Sequence, residues 1–211
     1  MLLRSIALRA GENPGDVHPF GVPAVRALAE QPIELDAPVT FLVGENGSGK
    51  STLLEAIACA AGSIVIGGSS LDRDPSLASA RALAARLRLG WTARTRRGFF
   101  LRAEDFFGYV KFLEQLNYEN RAALAAVYSG SRDEPTVPAP EDREWEGGDG
   151  FDTRSHGEAF LHLFASRVHD DGLYLLDEPE APLSPARQIA LLALLMDASS
   201  NGAQFLIATH S

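Results

Sequence analysis

Apolar positions recur along this chain in two rhythms, and the changes between them mark its elements. Leu2 to Leu8 reads as a first strand, and Glu12 to Pro23, with Pro14-Gly15, Pro19 and Pro23, as a turn-rich connector. Val25 to Glu30 predicts a short turn of helix, and Ile33-Glu34-Leu35 a brief strand before Pro38. Val39-Thr40-Phe41-Leu42-Val43 is β-branched and apolar and predicts a buried strand; Leu53, Leu54, Ile57 and Ala58 then fall at helical spacing between Ser51 and Ala61. Ile64-Val65-Ile66 reads as a strand ending in a turn at Gly67-Gly68, and Ser76 to Arg88 as a helix. Leu89 to Ala93 and Gly98 to Arg102 predict a hairpin across the polar tip Arg94 to Arg97.

Beyond the hairpin, Glu104 to Tyr128 predicts a longer helix with Phe107, Val110, Leu113 and Leu116 on one face. Gly130 to Asp152, rich in Pro, Gly, Asp and Glu, predicts a mobile loop. Helical spacing resumes at His156 with Phe160, Leu161, Phe164 and Val168. Leu173-Tyr174-Leu175-Leu176 reads as a buried strand ending in Asp177-Glu178. Ser184-Pro185, a cap followed by proline at the first helical position, opens a helix to about Asp197, and Ala203 to Ala208 is the last strand. Strands alternating with helices predict an α/β fold.

Composition narrows this little. With 45% hydrophobic and 22% charged residues the chain of 211 has the makeup of an ordinary soluble protein, one sizeable core or two small ones. Neither a membrane-length apolar run nor a signal-peptide pattern is evident, so no membrane insertion and a cytoplasmic location are expected. Cys59, the only cysteine, rules out an internal disulfide and reads as a small buried thiol. A net charge of −9 argues against indiscriminate nucleic-acid binding, yet Pro75 to Ala103 holds seven arginines and no acid, while Asp133 to Asp152 holds eight acids.

The chemistry is concentrated in Gly44-Glu45-Asn46-Gly47-Ser48-Gly49-Lys50-Ser51-Thr52. Glycines let backbone N–H groups turn inward around an anion, and the helix that follows adds its positive end. Strand, loop and helix in this order make the pattern G-x-x-x-x-G-K-[ST] a phosphate-binding loop of a P-loop NTPase. Asn46 to Thr52 would cradle the phosphates of ATP, Lys50 would reach the β- and γ-phosphates, and the Ser51 hydroxyl would ligate Mg²⁺. Asp177 is suited to holding the same Mg²⁺ and Glu178 to orienting or deprotonating water. An acid pair after a strand is usually just solvated. Together with the loop it gains meaning.

On these motifs, with Thr-Arg-Ser-His-Gly-Glu at 153–158 and Asp-Glu-Pro-Glu-Ala-Pro-Leu-Ser-Pro at 177–185, the chain resembles ATPase domains of the ABC class. More narrowly it is similar to small stand-alone bacterial ATPases of the AAA/ABC superfamily. The resemblance implies a mixed sheet core flanked by helices, with a helical subdomain. Residues 1–211 would form one domain: 1–62 and 169–211 the nucleotide-binding core, 63–168 the hairpin and signature subdomain with the mobile loop 130–152. The resemblance puts Ser155 and Gly157 at the signature element, which in the family reaches the γ-phosphate across a head-to-tail dimer, although His156 and Glu158 depart from the common form. Ser155-x-x-Glu158 is equally a capping box. His210 resembles the switch histidine. Glu104 stands in for the missing glutamine of the Mg²⁺-contacting loop, Phe20 either stacks on adenine or plugs the core, and Ser184 replaces a usual aspartate. Such folds normally continue past this point, so a further strand or helix is expected after Ser211.

The leading expectation is therefore an ATP-hydrolysing, Mg²⁺-dependent switch that forms a homodimer with ATP and acts on an unknown protein partner. Two alternatives stand beside it: an ATP-gated nucleic-acid binder using the Arg81 to Arg102 stretch, and the motor subunit of a transporter.

Overall fold

The computed structural model describes residues 1–9, 15–66, 71, 74–106 and 156–210. Two sheets organise them. Strand β1 (Leu3–Leu8) lies between β2 (Ile33–Glu34) and β5 (Leu87–Trp91) in an antiparallel sheet of three. The larger sheet is wholly parallel, in the order β3 (Val39–Val43), β8 (Gln204–Thr209), β7 (Leu173–Asp177), β6 (Phe99–Arg102), β4 (Ile64–Val65). Helix α1 (Pro23–Glu30) begins with proline at the start of its first turn. Helix α2 (Lys50–Ala61) follows β3, α3 (Ala78–Ala84) precedes β5, and α4 (His156–Arg167) and α5 (Pro185–Ser200) flank β7.

Period-two alternation divides the parallel strands between two cores. Phe100, Leu175, Leu206 and Ala208 face an inner core shared with Leu53, Leu54 and Ile57 of α2 and with Leu3 and Ile6 of β1. Phe99, Leu101, Tyr174, Leu176, Phe205 and Ile207 face the other way, onto Phe160 and Phe164 of α4 and Leu191 and Leu195 of α5. Burial on both faces is why the three inner strands, β6, β7 and β8, read as unbroken apolar runs. Each fully buried leucine or isoleucine of α2 contributes about 1.5–3 kcal/mol by leaving water. Gln204, almost wholly buried, joins the sheets: its Oε1 accepts from the Leu2 and Leu3 amides at 2.9 and 2.8 Å, and its Nε2 donates to the Leu3 carbonyl at 2.8 Å.

The expected hairpin does not form. Strand β5 pairs with β1, with Leu8 opposite Leu87, and β6 lies between β7 and β4. The physical reason lies in the side chains: Leu87 and Leu89 alternate with Arg88 and Gly90 and need one covered face, whereas Phe99-Phe100-Leu101 needs two. Arg94 to Arg97 is thus a crossover between sheets. Its end is fixed by the Leu173 amide donating to the Arg97 carbonyl at 3.0 Å and by Gly98 at φ +114°, where a Cβ would meet the Leu173 carbonyl at 1.9 Å.

The helix expected to run to Arg88 ends at Ala84, because Leu87 already belongs to the β5 ladder. Ser184 precedes Pro185 as expected, but its side chain makes no cap; its carbonyl accepts the Arg187 and Gln188 amides instead. Cys59 is half-buried against the inner core rather than fully buried. Residues 103–106 are helical; the rest of the helix expected to Tyr128, and the loop 130–152, lie outside the described residues.

Candidate functional site

Because the five strands of the larger sheet are parallel, their C-terminal ends share one rim, where α/β proteins bind ligands. Four of those ends carry the residues of interest: Gly44 after β3, His210 after β8, Asp177 and Glu178 at β7, and Arg102 at β6.

The loop 44–49 turns into α2 through Gly49, whose φ of +92° is left-handed. Space as well as torsion requires glycine there, since a Cβ would meet Val22 Cγ2 at 2.5 Å. Val22 precedes α1, and the Ala24 amide donates to the Ser48 carbonyl at 2.9 Å, so the start of α1 braces the loop. Nothing in the sequence rhythm announces this brace. Asn46 and Gly47 are exposed, and Thr52 lies half-buried in the first turn of α2. Lys50 is buried, its Nζ donating to the Gly44 and Glu45 carbonyls at 2.7 and 3.0 Å. The Ser48 hydroxyl is buried with no hydrogen-bond partner among the described residues. An ammonium drawn into the loop and an unpaired hydroxyl beside it fit a bound anion.

Ser51 Oγ donates to Asp177 Oδ1 at 3.1 Å, across 126 residues of sequence. Asp177 is only 8% exposed. Burial pushes its carboxyl up from 3.8 to about 6, against the pull of the Ser51 hydrogen bond and with added repulsion from Glu178 and Glu104. A desolvated carboxylate beside a hydroxyl is a hard oxygen pair suited to Mg²⁺, which would supply the missing positive charge. No group of three or more metal-ligating side chains occurs among the described residues. Mg²⁺ takes one or two protein oxygens and completes its shell with phosphate and water.

The shift has a measurable sign. Between pH 4 and 6 the folded protein binds more protons at Asp177 than the unfolded chain, so without metal its stability falls as pH rises through that window. The loss amounts to about 2–3 kcal/mol. Asp177→Asn, which keeps the size of the side chain, is expected to remove it and to raise metal-free stability at pH 7.5 by about 1–3 kcal/mol. Urea melts of both proteins at pH 4.5 and 7.5 check this; equal pH slopes for the two would refute it.

Glu178 has a left-handed backbone, φ +48°, uncommon for a side-chain-bearing residue. Its amide donates to the Ala208 carbonyl at 2.9 Å, and its carboxylate lies 3.2 Å from His210 Nδ1. Glu180 lies 3.8 Å from the same nitrogen and accepts the Thr209 hydroxyl. Both carboxylates thus lie on the Nδ1 side of the ring. Glu104 is on the same rim, mostly exposed, 3.6 Å from the Arg102 guanidinium.

Other expected residues lie elsewhere or beyond the described chain. Phe20 packs against the inner core with the Arg86 guanidinium 5.7 Å above its ring. Ser155 lies outside the described residues, and of Gly157 only its place in the first turn of α4 is described. Glu158 bonds Arg187 of α5 at 2.9 Å. Three of the seven arginines act within the fold: Arg81 donates to the Leu71 and Asp74 carbonyls, Arg86 covers Phe20, and Arg102 is buried among acids. Arg88, Arg94, Arg96 and Arg97 are exposed. Sequence reasoning missed Glu55, Glu180 and the role of Arg102; the position of Glu55 one helical turn after Ser51 was the available signal.

Residues 24–90 match the family model of an AAA domain, and residues 159–211 match one described as "AAA domain, putative AbiEii toxin, Type IV TA system". The chain is 29% identical over 175 residues to the vitamin B12 import ATP-binding protein BtuD of Yersinia pseudotuberculosis, covering 80% of this chain and 65% of that protein. It is 30% identical over 194 residues to the hemin import ATP-binding protein HmuV of Nocardia farcinica, covering 89% and 63%. It is 28% identical over 212 residues to the ribose import ATP-binding protein RbsA 1 of Rhizobium meliloti, covering 89% and 37%. The chain thus spans less than two thirds of the length of these relatives. No helix among the described residues is long and apolar enough to cross a membrane.

Proposed function

We propose that this chain, a P-loop ATPase domain of the ABC/AAA class, is a nucleotide-driven switch that binds ATP, hydrolyses it with Mg²⁺ and closes head to tail on a second copy while ATP is bound. The contact between Ser51 and Asp177 carries the reading, because it puts phosphate loop and strand-end acid within reach of one cation. Lys50 and the amides of 46–52 hold the phosphates. Ser51 and Asp177 hold Mg²⁺, which neutralises phosphate charge when bound, with Glu104 at the edge of the same rim. Glu178 takes a proton from, or orients, the attacking water, and His210 contacts the γ-phosphate. Ser155 and Gly157 serve the nucleotide of the partner copy. A single domain over residues 1–211, without the expected hairpin and with β4 and β6 in the core sheet, and a cytoplasmic working place belong to the same proposal.

A second reading makes the chain the motor subunit of an importer, favoured by the printed names of its relatives. Nucleic-acid gating has less support, since three of the seven arginines are engaged inside the fold. Sedimentation of the purified chain with and without MgATP tests the switch: an ATP-dependent shift from monomer to dimer is expected. A mass unchanged by MgATP in a chain that binds it would refute closure on a second copy.

A further inference from the structure

We propose that Arg102 is a positioning residue for this reaction, locking the end of β6, the strand beside the Asp177 end of β7, to the helix that follows the phosphate loop. The inference rests on the ATPase reading above. Arg102 is 8% exposed. Its guanidinium bonds Asp105 with Nε at 2.6 Å and Nη2 at 3.1 Å, reaches Glu55 at 3.3 Å, and has Asp74 and Glu104 each at 3.6 Å. One cation therefore joins α2, the segment before α3, the end of β6 and the helical residues 103–106.

Two of those links bear on the site. Glu55 stands one turn beyond Ser51 on α2, so both side chains leave the same helix face. Arg102 and Asp177 are partners in register on neighbouring parallel strands and point to the same face of the sheet. Helix α2 is thereby fastened to two adjacent strand ends, through Ser51 to Asp177 and through Glu55 to Arg102. The second fastening sets how the first can move. Burial pushes the Glu55 carboxyl up, and the Arg102 guanidinium pulls against that shift. A fork of fixed geometry is needed to hold Asp105 by two bonds while still reaching Glu55, which a lysine cannot do.

The test compares wild type, Arg102→Lys and Glu55→Gln in the full chain, with Arg96→Lys as an exposed control from the same stretch. Arg102→Lys keeps the charge and loses the fork. Expected are metal-free ADP binding within about twofold of wild type and a kcat for MgATP lower by about tenfold with KM little changed, the pattern of lost positioning. Glu55→Gln is expected to lower kcat in the same way, and the double variant no further than the worse single one, because both break one link. If Arg102→Lys fails to fold, Glu55→Gln carries the same comparison. A kcat equal to wild type overturns the proposal, as does a parallel loss of folding, ADP binding and kcat in both single variants, which marks a merely structural ion pair. A wild-type chain that neither binds nor hydrolyses ATP overturns the ATPase reading and this one with it. Wild-type turnover unaffected by either substitution overturns only the role of Arg102.

Discussion

Replacing Glu178 by glutamine is expected to lower ATP turnover by about 10²- to 10⁴-fold, the range for removing a positioned base, while MgATP stays bound. Glutamine keeps the length of the side chain, and the left-handed backbone at this position is held from outside, by the bond of its amide to the Ala208 carbonyl. The fold is therefore expected to survive. Removing the charge also relieves the repulsion that Glu178 exerts on Asp177. What is lost is the carboxylate beside His210 Nδ1, and with it both a proton acceptor and an anchor for the ring. Phosphate release measured beside equilibrium nucleotide binding separates these effects. Turnover equal to wild type would remove Glu178 from the mechanism.

Lys50→Ala is expected to act at the earlier step. The Nζ donates two hydrogen bonds to loop carbonyls in the structure described here and would exchange them for the phosphates of a bound nucleotide. Bonds between charged groups contribute about 1.5–3 kcal/mol each, so losing two predicts an ATP affinity lower by about 10²- to 10⁴-fold. Alanine suits the first turn of a helix, and thermal unfolding is expected to shift by only a few degrees. Titration calorimetry with MgATP and with ADP reads the effect. Binding within threefold of wild type would mean that the loop does not grip phosphate as argued.

These expectations draw on features that were open to reading at different levels. The loop was legible because its chemistry is local: glycines at fixed offsets, a lysine and a hydroxyl between a strand and a helix specify their geometry over nine adjacent residues. The acid pair was legible as well, as the polar end of an apolar run. The path of Leu87 to Arg102 was misread for a physical reason. Proximity in sequence favours a hairpin, but the number of faces a strand must bury decides its partners, and Phe99-Phe100-Leu101 required a place inside the parallel sheet. The arginine stretch meets the same limit, since a count of charges does not say which of them, like Arg102, meet buried acids.

The sequence by itself determined that this chain is an α/β domain with a phosphate loop and a strand-borne acid pair, because backbone propensity, periodicity and loop chemistry act between near neighbours. Only the tertiary structure decided that Ser51 meets Asp177, that α1 braces Gly49, that Glu178 and Glu180 share His210, and that Arg102 joins four segments. Those contacts cross between elements far apart in the chain. Their partners are set by strand register and by which face each core must cover, quantities that no local window of residues contains.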